Sequence, residues 1–221
     1  MSFEFYEHWT DRNLARWELG IDAKRGPHRL RLYAGTTPDE LYFPSTVGGA
    51  FLTRAHVGAE ARAGLSSGWF AIGGGEYENE NFVPNYNERD DQRWTLFLGG
   101  AREMGKGRRA ELQYRFRRQD STTNLYTYGQ NVARLDAEWT TVPVAAGVRL
   151  EYALREYRTG VLSAVNFGRQ DDRWRLIGRL HRTVTGPLEA EVFDEWKHTT
   201  SSRATKNYEV NTVGLALTVS R

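Results

Sequence analysis

The chain of 221 residues has no cysteine. Disulfides, thiolate metal sites and cysteine nucleophiles are therefore excluded. It has no run of 18 apolar residues, so no membrane-crossing helix is expected. No apolar segment follows Met1, so an export signal is expected to have been removed. A dominant charge sign is missing too: 30 Lys and Arg face 28 Asp and Glu, a formal net charge of +2. Nucleic acid is accordingly not an expected partner. Proline-rich linkers and low-complexity blocks are absent, and residues 1–221 read as one domain. Helical periodicity is nearly absent as well.

Aromatic residues and alternation are abundant. Phe, Trp and Tyr make up 13% of the chain although hydrophobic residues reach only 39%. In Arg109–Arg117, Ala110, Leu112, Tyr114 and Phe116 fall on one side, and Glu111, Gln113, Arg115 and Arg117 on the other. Val144–Arg155 and Arg173–His181 repeat the pattern. Period two places successive side chains on opposite faces of a strand. Twelve strands are predicted, at 2–9, 14–24, 28–35, 50–65, 69–77, 92–104, 108–119, 130–140, 143–157, 172–184, 187–199 and 208–220. Most reach the 9–11 residues that a tilted strand needs to cross a bilayer.

Short turns, as at Ser66–Gly68 and Gly105–Gly107, alternate with longer polar segments over 36–49, 78–91, 119–130, 157–171 and 199–207. The first hairpin, at Asp11–Asn13, is the tight exception. The expected fold is all-β: a 12-stranded antiparallel transmembrane barrel, an up-and-down meander with both termini periplasmic. Trp17, Trp69, Trp94, Trp139, Trp174 and Trp196 stand near strand ends, as interfacial girdles require. A soluble barrel would instead fill its interior with apolar side chains.

The segment Thr212-Val213-Gly214-Leu215-Ala216-Leu217-Thr218-Val219 resembles the C-terminal signal of bacterial outer-membrane proteins. Thr212, Gly214, Leu217 and Val219 fill its four positions, although the chain ends Ser220-Arg221 rather than in an aromatic residue. The resemblance implies an outer-membrane location and handling by the barrel-assembly machinery. The stretch Arg169–Leu176 and the hairpins after it resemble the C-terminal barrels of tetratricopeptide-linked export proteins, which implies a periplasmic domain or export partner.

With the apolar face toward lipid, the predicted inward bases are Arg16, Arg29, Arg31, Arg54, Arg62, Arg93, Arg115, Arg117, Arg134, Arg149, Arg155, Arg173, Arg175 and Arg179. The predicted inward acids are Glu18, Asp22, Glu60, Glu111, Asp136, Glu138, Glu151, Glu189 and Glu191. Such an Arg excess makes an anion track, since charged linings set pore selectivity. Alternatively the same groups pair into a lattice that braces and plugs the lumen. The function expected is thus a pore or export conduit for anionic solutes or polysaccharide, or else an anchoring barrel that holds a periplasmic or surface partner.

No cofactor or metal is expected. Asn87–Asp91 offers oxygen ligands but lacks the glycine spacing of a Ca²⁺ loop. None of His8, His28, His56, His181 and His198 has a serine two residues away on its face, so no hydrolase is expected. Gly73-Gly74-Gly75 precedes no helix and reads as relief of curvature, not as a phosphate cradle.

The topology is testable directly because the chain carries no native thiol. Single cysteines at Ser67, Lys106 and Gly186 should react with an impermeant reagent only from the periplasmic side, and those at Asn85, Thr123 and Ser202 only from outside. Mixed labelling within either set would refute the alternation.

Overall fold

Where apolar and charged residues alternate, the computed structural model has strands, each from β2 onward antiparallel to the next along the chain. The structure describes residues 12–14, 17–42, 50–82, 90–123, 125–141, 144–160, 162, 164, 166–185 and 188–219. They form β1 (Arg12–Leu14), β2 (Trp17–Arg25), β3 (His28–Tyr42), β4 (Ala50–Ser66), β5 (Trp69–Phe82) and β6 (Asp91–Glu103). Then come β7 (Arg108–Ser121), β8 (Tyr128–Thr141), β9 (Val144–Tyr157), β10 (Gln170–Thr185), β11 (Leu188–Ser201) and β12 (Tyr208–Val219). One sheet holds them all, in sequence order from β3 onward.

Two expectations need correction. The tight hairpin at Asp11–Asn13 is not there: Arg12 and Asn13 lie in β1, opposite Tyr42 and Leu41. The reason is that β3 does not stop at residue 35 but runs on to Tyr42 and supplies the partner. Leu14 faces Glu40 and Trp17 faces Thr36, so β1 and β2 follow one another along a single neighbour. The described sheet therefore has eleven strand positions. The predicted strand over 2–9 lies outside the described residues, and so does the placing of both termini on one side.

Several strands also run further toward the long connections than alternation suggested; β5 continues from 77 to Phe82 and β11 from 199 to Ser201. A ladder of backbone hydrogen bonds needs a partner strand, not an apolar face, so it persists where the side chains turn polar. Pro38, which cannot donate to a ladder, falls where the β3–β4 register shifts between Thr37 and Glu40. The short connections use the expected turn chemistry. Ser67 and Gly68 both have positive φ (42° and 83°), the geometry of a two-residue type I′ hairpin.

Register settles which residues share a face. His56 lies opposite Glu78, Glu78 opposite Arg93, and Arg93 opposite Gln119. This charged face is the covered one: Asp171 is 0% exposed and Glu80 3%. The apolar face is the open one, with Leu19 72% exposed and Leu98 69%. Trp69, Trp94, Trp139 and Trp174 are exposed on that open face. Trp94 packs on Tyr77 (4.5 Å) and Trp174 on Tyr152 (4.7 Å).

The sheet curls toward its charged face, because side chains two strands apart meet across it. Tyr33 of β3 passes over Gly58 of β4 and donates its hydroxyl to Glu76 Oε2 of β5 at 2.9 Å. A Cβ at Gly58 would stand 2.4 Å from the Tyr33 ring. The same device recurs where Phe97 covers Gly74 and Phe193 covers Gly214. In each case an aromatic ring on the inner face occupies the space that a missing side chain leaves on the neighbouring strand.

Gly58→Val should therefore displace Tyr33, break its bond to Glu76 and cost about 1–3 kcal/mol of overpacking. Adding Tyr33→Ala should recover part of that loss. Chemical unfolding of the four variants of this cycle reads the coupling, and strict additivity would rule out the ring-over-glycine contact as its source.

Candidate functional site

The charged face is the candidate site, and register places the predicted residues on it. Arg29 and Arg31 of β3, Arg54 and Arg62 of β4, Arg93 of β6, Arg115 and Arg117 of β7, and Arg134 of β8 share it. So do Arg149 and Arg155 of β9 and Arg173, Arg175 and Arg179 of β10. Among the acids, Glu18, Asp22, Glu60, Glu111, Asp136, Glu138, Glu151 and Glu191 have the same phase; the side chain of Glu189 lies outside the described residues. Arg16 lies outside the described residues. Thr212 and Gly214 share the inner face of β12; the side chains of Leu217 and Val219 lie outside the described residues.

Alternation alone missed seven inner acids. Glu76, Glu78 and Glu80 of β5, Asp91 and Glu103 of β6, Asp171 of β10 and Glu195 of β11 all share the charged face. It also missed Lys24, Arg109 and Lys197. With these added, the inner face of the described residues carries nearly as many acids as bases, and most of the Arg excess disappears. The missed signal was the run Glu76–Glu80, whose glutamates recur at period two inside a segment otherwise rich in Gly and Asn.

Most of these charges are paired. Arg54 reaches Glu80 at 2.8 Å and Glu78 at 3.6 Å, while Arg93 bonds Glu78 and also reaches Glu80 at 3.2 Å. Asp136 accepts from both Arg134 and Arg149, the latter at 2.6 Å. Glu195 is held by Arg175 and by Lys197 at 2.7 Å. Asp171 takes Arg169 at 2.7 Å and Arg173 at 3.4 Å. Glu18 bridges Arg31 (2.5 Å) and His56 (3.3 Å).

Four inner guanidinium groups differ, having no carboxylate within 4 Å among the described residues: Arg179 of β10, which is exposed, and three that lie together on β7 and β9. Arg115 donates to Gln113 (2.7 Å) and lies over the Phe97 ring. Arg117 reaches only Thr95 (3.4 Å). Arg155 touches Gln130 (3.3 Å) and the Tyr157 hydroxyl (3.4 Å) and lies over Tyr128, 4.1 Å from its centroid.

Two partly open spaces lie against this face. One, of about 250 Å³ at the long-connection end, takes its walls from Leu52 and Arg54 of β4 round to Arg155 and Tyr157 of β9. The other, of about 260 Å³, lies between Arg29, Glu60 and Arg62 on one side and Arg109, Glu111, Arg134 and Glu138 on the other. Walls drawn from strands so far apart in order mean that the sheet wraps a charged interior.

Three aromatic residues of the longer polar segments 78–91 and 119–130 line the first space: Phe82 and Tyr128 from strands, and Tyr126; Tyr86 lies outside the described residues. In the oxygen-rich segment, Asp90 accepts from the Phe82 amide (2.7 Å), and Asp91 is a buried acceptor for Gln119 (2.6 Å). Asn87, Glu88 and Arg89 lie outside the described residues.

The architecture has solved counterparts. The chain is similar to a loop-deletion variant of OmpT, an outer membrane protein of Vibrio cholerae, with a TM-score of 0.57 and 10% identity. The fold is that of an outer-membrane β-barrel. The match covers 93% of this chain but 62% of that one, so this barrel spans about six-tenths of its length. A second similar structure is the alcaligin outer-membrane receptor FauA of Bordetella pertussis, with a TM-score of 0.40, 16% identity, and coverage of 93% and 39%. No protein-family model matches the chain, and no curated protein matches it in sequence.

An outer-membrane barrel presents its open face to hydrocarbon, and the apolar residues on that face fit this solvent. Its inner charges must then satisfy one another. Asp136→Asn should leave Arg134 and Arg149 without their shared carboxylate and cost about 3 kcal/mol. Removing Arg149 as well should add less than its separate cost, read by urea unfolding from lipid vesicles. A loss below about 1 kcal/mol for Asp136→Asn would mean the lattice does not brace the barrel.

Proposed function

We propose that this chain sits in the bacterial outer membrane as a narrow conduit for small polar solutes, with anions favoured. The supporting observation is the inner face, which carries charged walls and partly open polar spaces in place of an apolar core. Anion preference comes from Arg115, Arg117 and Arg155, neighbouring guanidinium groups without a carboxylate partner, and not from an overall excess of base. Lipid covers the outer face, and the barrel-assembly machinery inserts the chain through the last strand, where Thr212, Gly214, Leu217 and Val219 carry the signal. A periplasmic tetratricopeptide region joined to such a barrel makes it the exit of a polysaccharide or protein export system.

A second reading, an anchoring barrel plugged by its own side chains, draws on the joined ion pairs of Arg54, Glu78, Glu80 and Arg93. These groups span three strands and occupy interior space that a wide channel would leave to water.

Planar-bilayer recording separates the two readings. A conduit gives steady small steps with mild anion preference that fades as salt rises and the Debye length falls below ~10 Å. Changing Arg115, Arg117 and Arg155 together to Gln should abolish the preference. Cation preference in the unmodified barrel would overturn the assignment of those arginines. Absence of any step from folded protein would leave the anchoring reading in place of the conduit.

A further inference from the structure

The space at the long-connection end has a composition unlike the rest of the interior. Its charged lining is Arg54, Arg93 and Arg155 against Glu80 and Asp91. Glu80 is already held by Arg54 and Arg93, and Asp91 by Gln119. Arg155 is left as the one lining base with no carboxylate within 4 Å. Its Nε is shielded from solvent and meets no acceptor, and its two hydrogen bonds are long ones to neutral groups. A half-buried guanidinium held this loosely is poorly compensated for lost hydration, and an incoming anion would supply what it lacks.

The second observation is aromatic. Tyr126, Tyr128 and Tyr157 line the same space, and Tyr128 and Tyr157 lie with ring centroids 5.8 Å apart, inclined at 59°. Tyr128 already supports the Arg155 guanidinium from one side, which fixes that group's plane. Flat apolar ring faces edged by hydroxyls suit a ligand that is itself a ring with polar edges. A volume of about 250 Å³ admits one such ring and no more.

We propose that this space binds a single small ring bearing a carboxylate, a uronic acid in size and chemistry, with Arg155 taking the carboxylate and the tyrosines flanking the ring. The site deepens the conduit reading by naming a solute class, but it rests only on the barrel interior and not on conduction.

Isothermal titration of the folded full chain in detergent with glucuronate, glucose and inorganic phosphate tests this. Glucuronate should bind saturably with unit stoichiometry, and glucose at least tenfold more weakly. Arg155→Gln should erase the difference between the two sugars, Arg155→Lys should keep part of it, and Arg108→Gln, at the opposite end of the barrel, should leave it unchanged. Heat-modifiable gel mobility confirms that each variant is folded. Equal binding of acid and neutral sugar, no binding, or unaltered binding by folded Arg155→Gln would each overturn the proposal. Phosphate competing as well as glucuronate would show a bare anion site and overturn the role of the rings. If glucuronate fails to bind but the barrel conducts, this site is wrong and the conduit stands. If it binds without conductance, the site stands and the conduit falls.

Discussion

A barrel with hydrocarbon outside must neutralise its own charges inside. Inner-face carboxylates such as Glu80 and Asp171 are almost wholly covered, and burying an ion without a counter-ion costs several kcal/mol. The balance of acids and bases across that face follows from this constraint. So does the preference for Arg, whose planar fork can reach two carboxylates at once, as Arg54 and Arg93 each do. The shared acceptors Asp136, Glu195 and Asp171 tie neighbouring strands together in the same manner. The lattice thus does for this fold what an apolar core does for a water-soluble one.

The same constraint isolates the residues that differ from it. Arg115, Arg117 and Arg155 lie together on β7 and β9, with Gln130 opposite both Arg117 and Arg155. They are compensated by rings, amides and a hydroxyl, not by carboxylates. Interior positive charge held by weak partners is available to a passing or bound anion, whereas charge in the Arg54–Glu80 group is committed to the wall.

Curvature links the lattice to the partly open spaces. Tyr33 over Gly58, Phe97 over Gly74 and Phe193 over Gly214 let large inner-face rings lie against the neighbouring strand. The glycine of the C-terminal signal, Gly214, has this packing role whatever its part in assembly. At the long-connection end the loops also fasten to one another: Asn166 bonds the Leu125 carbonyl (3.0 Å), and Arg203 bonds that of Phe167 (3.2 Å). These contacts hold the neighbouring segments, among them the one carrying Tyr126, in a fixed frame beside the upper space.

Sequence by itself determined the strand type, the face assignment and the alternation of short and long connections. The reason is that a period of two is a local property, and one apolar residue in phase assigns the whole strand. That is why Arg115, Arg149 and Arg175 could be put on a shared face before any pairing was known. Tertiary structure alone decided the rest. Glu78 and Glu80 read as loop because Gly and Asn hide the apolar half of the alternation, and only pairing with Arg54 and Arg93 reveals a strand. The supposed hairpin at Asp11–Asn13 vanished because β3 runs past its apolar segment to meet Arg12 and Asn13. Which Arg finds a carboxylate and which does not depends on neighbours one or two strands away. No local pattern encodes that distance; the register and curl of the sheet create it.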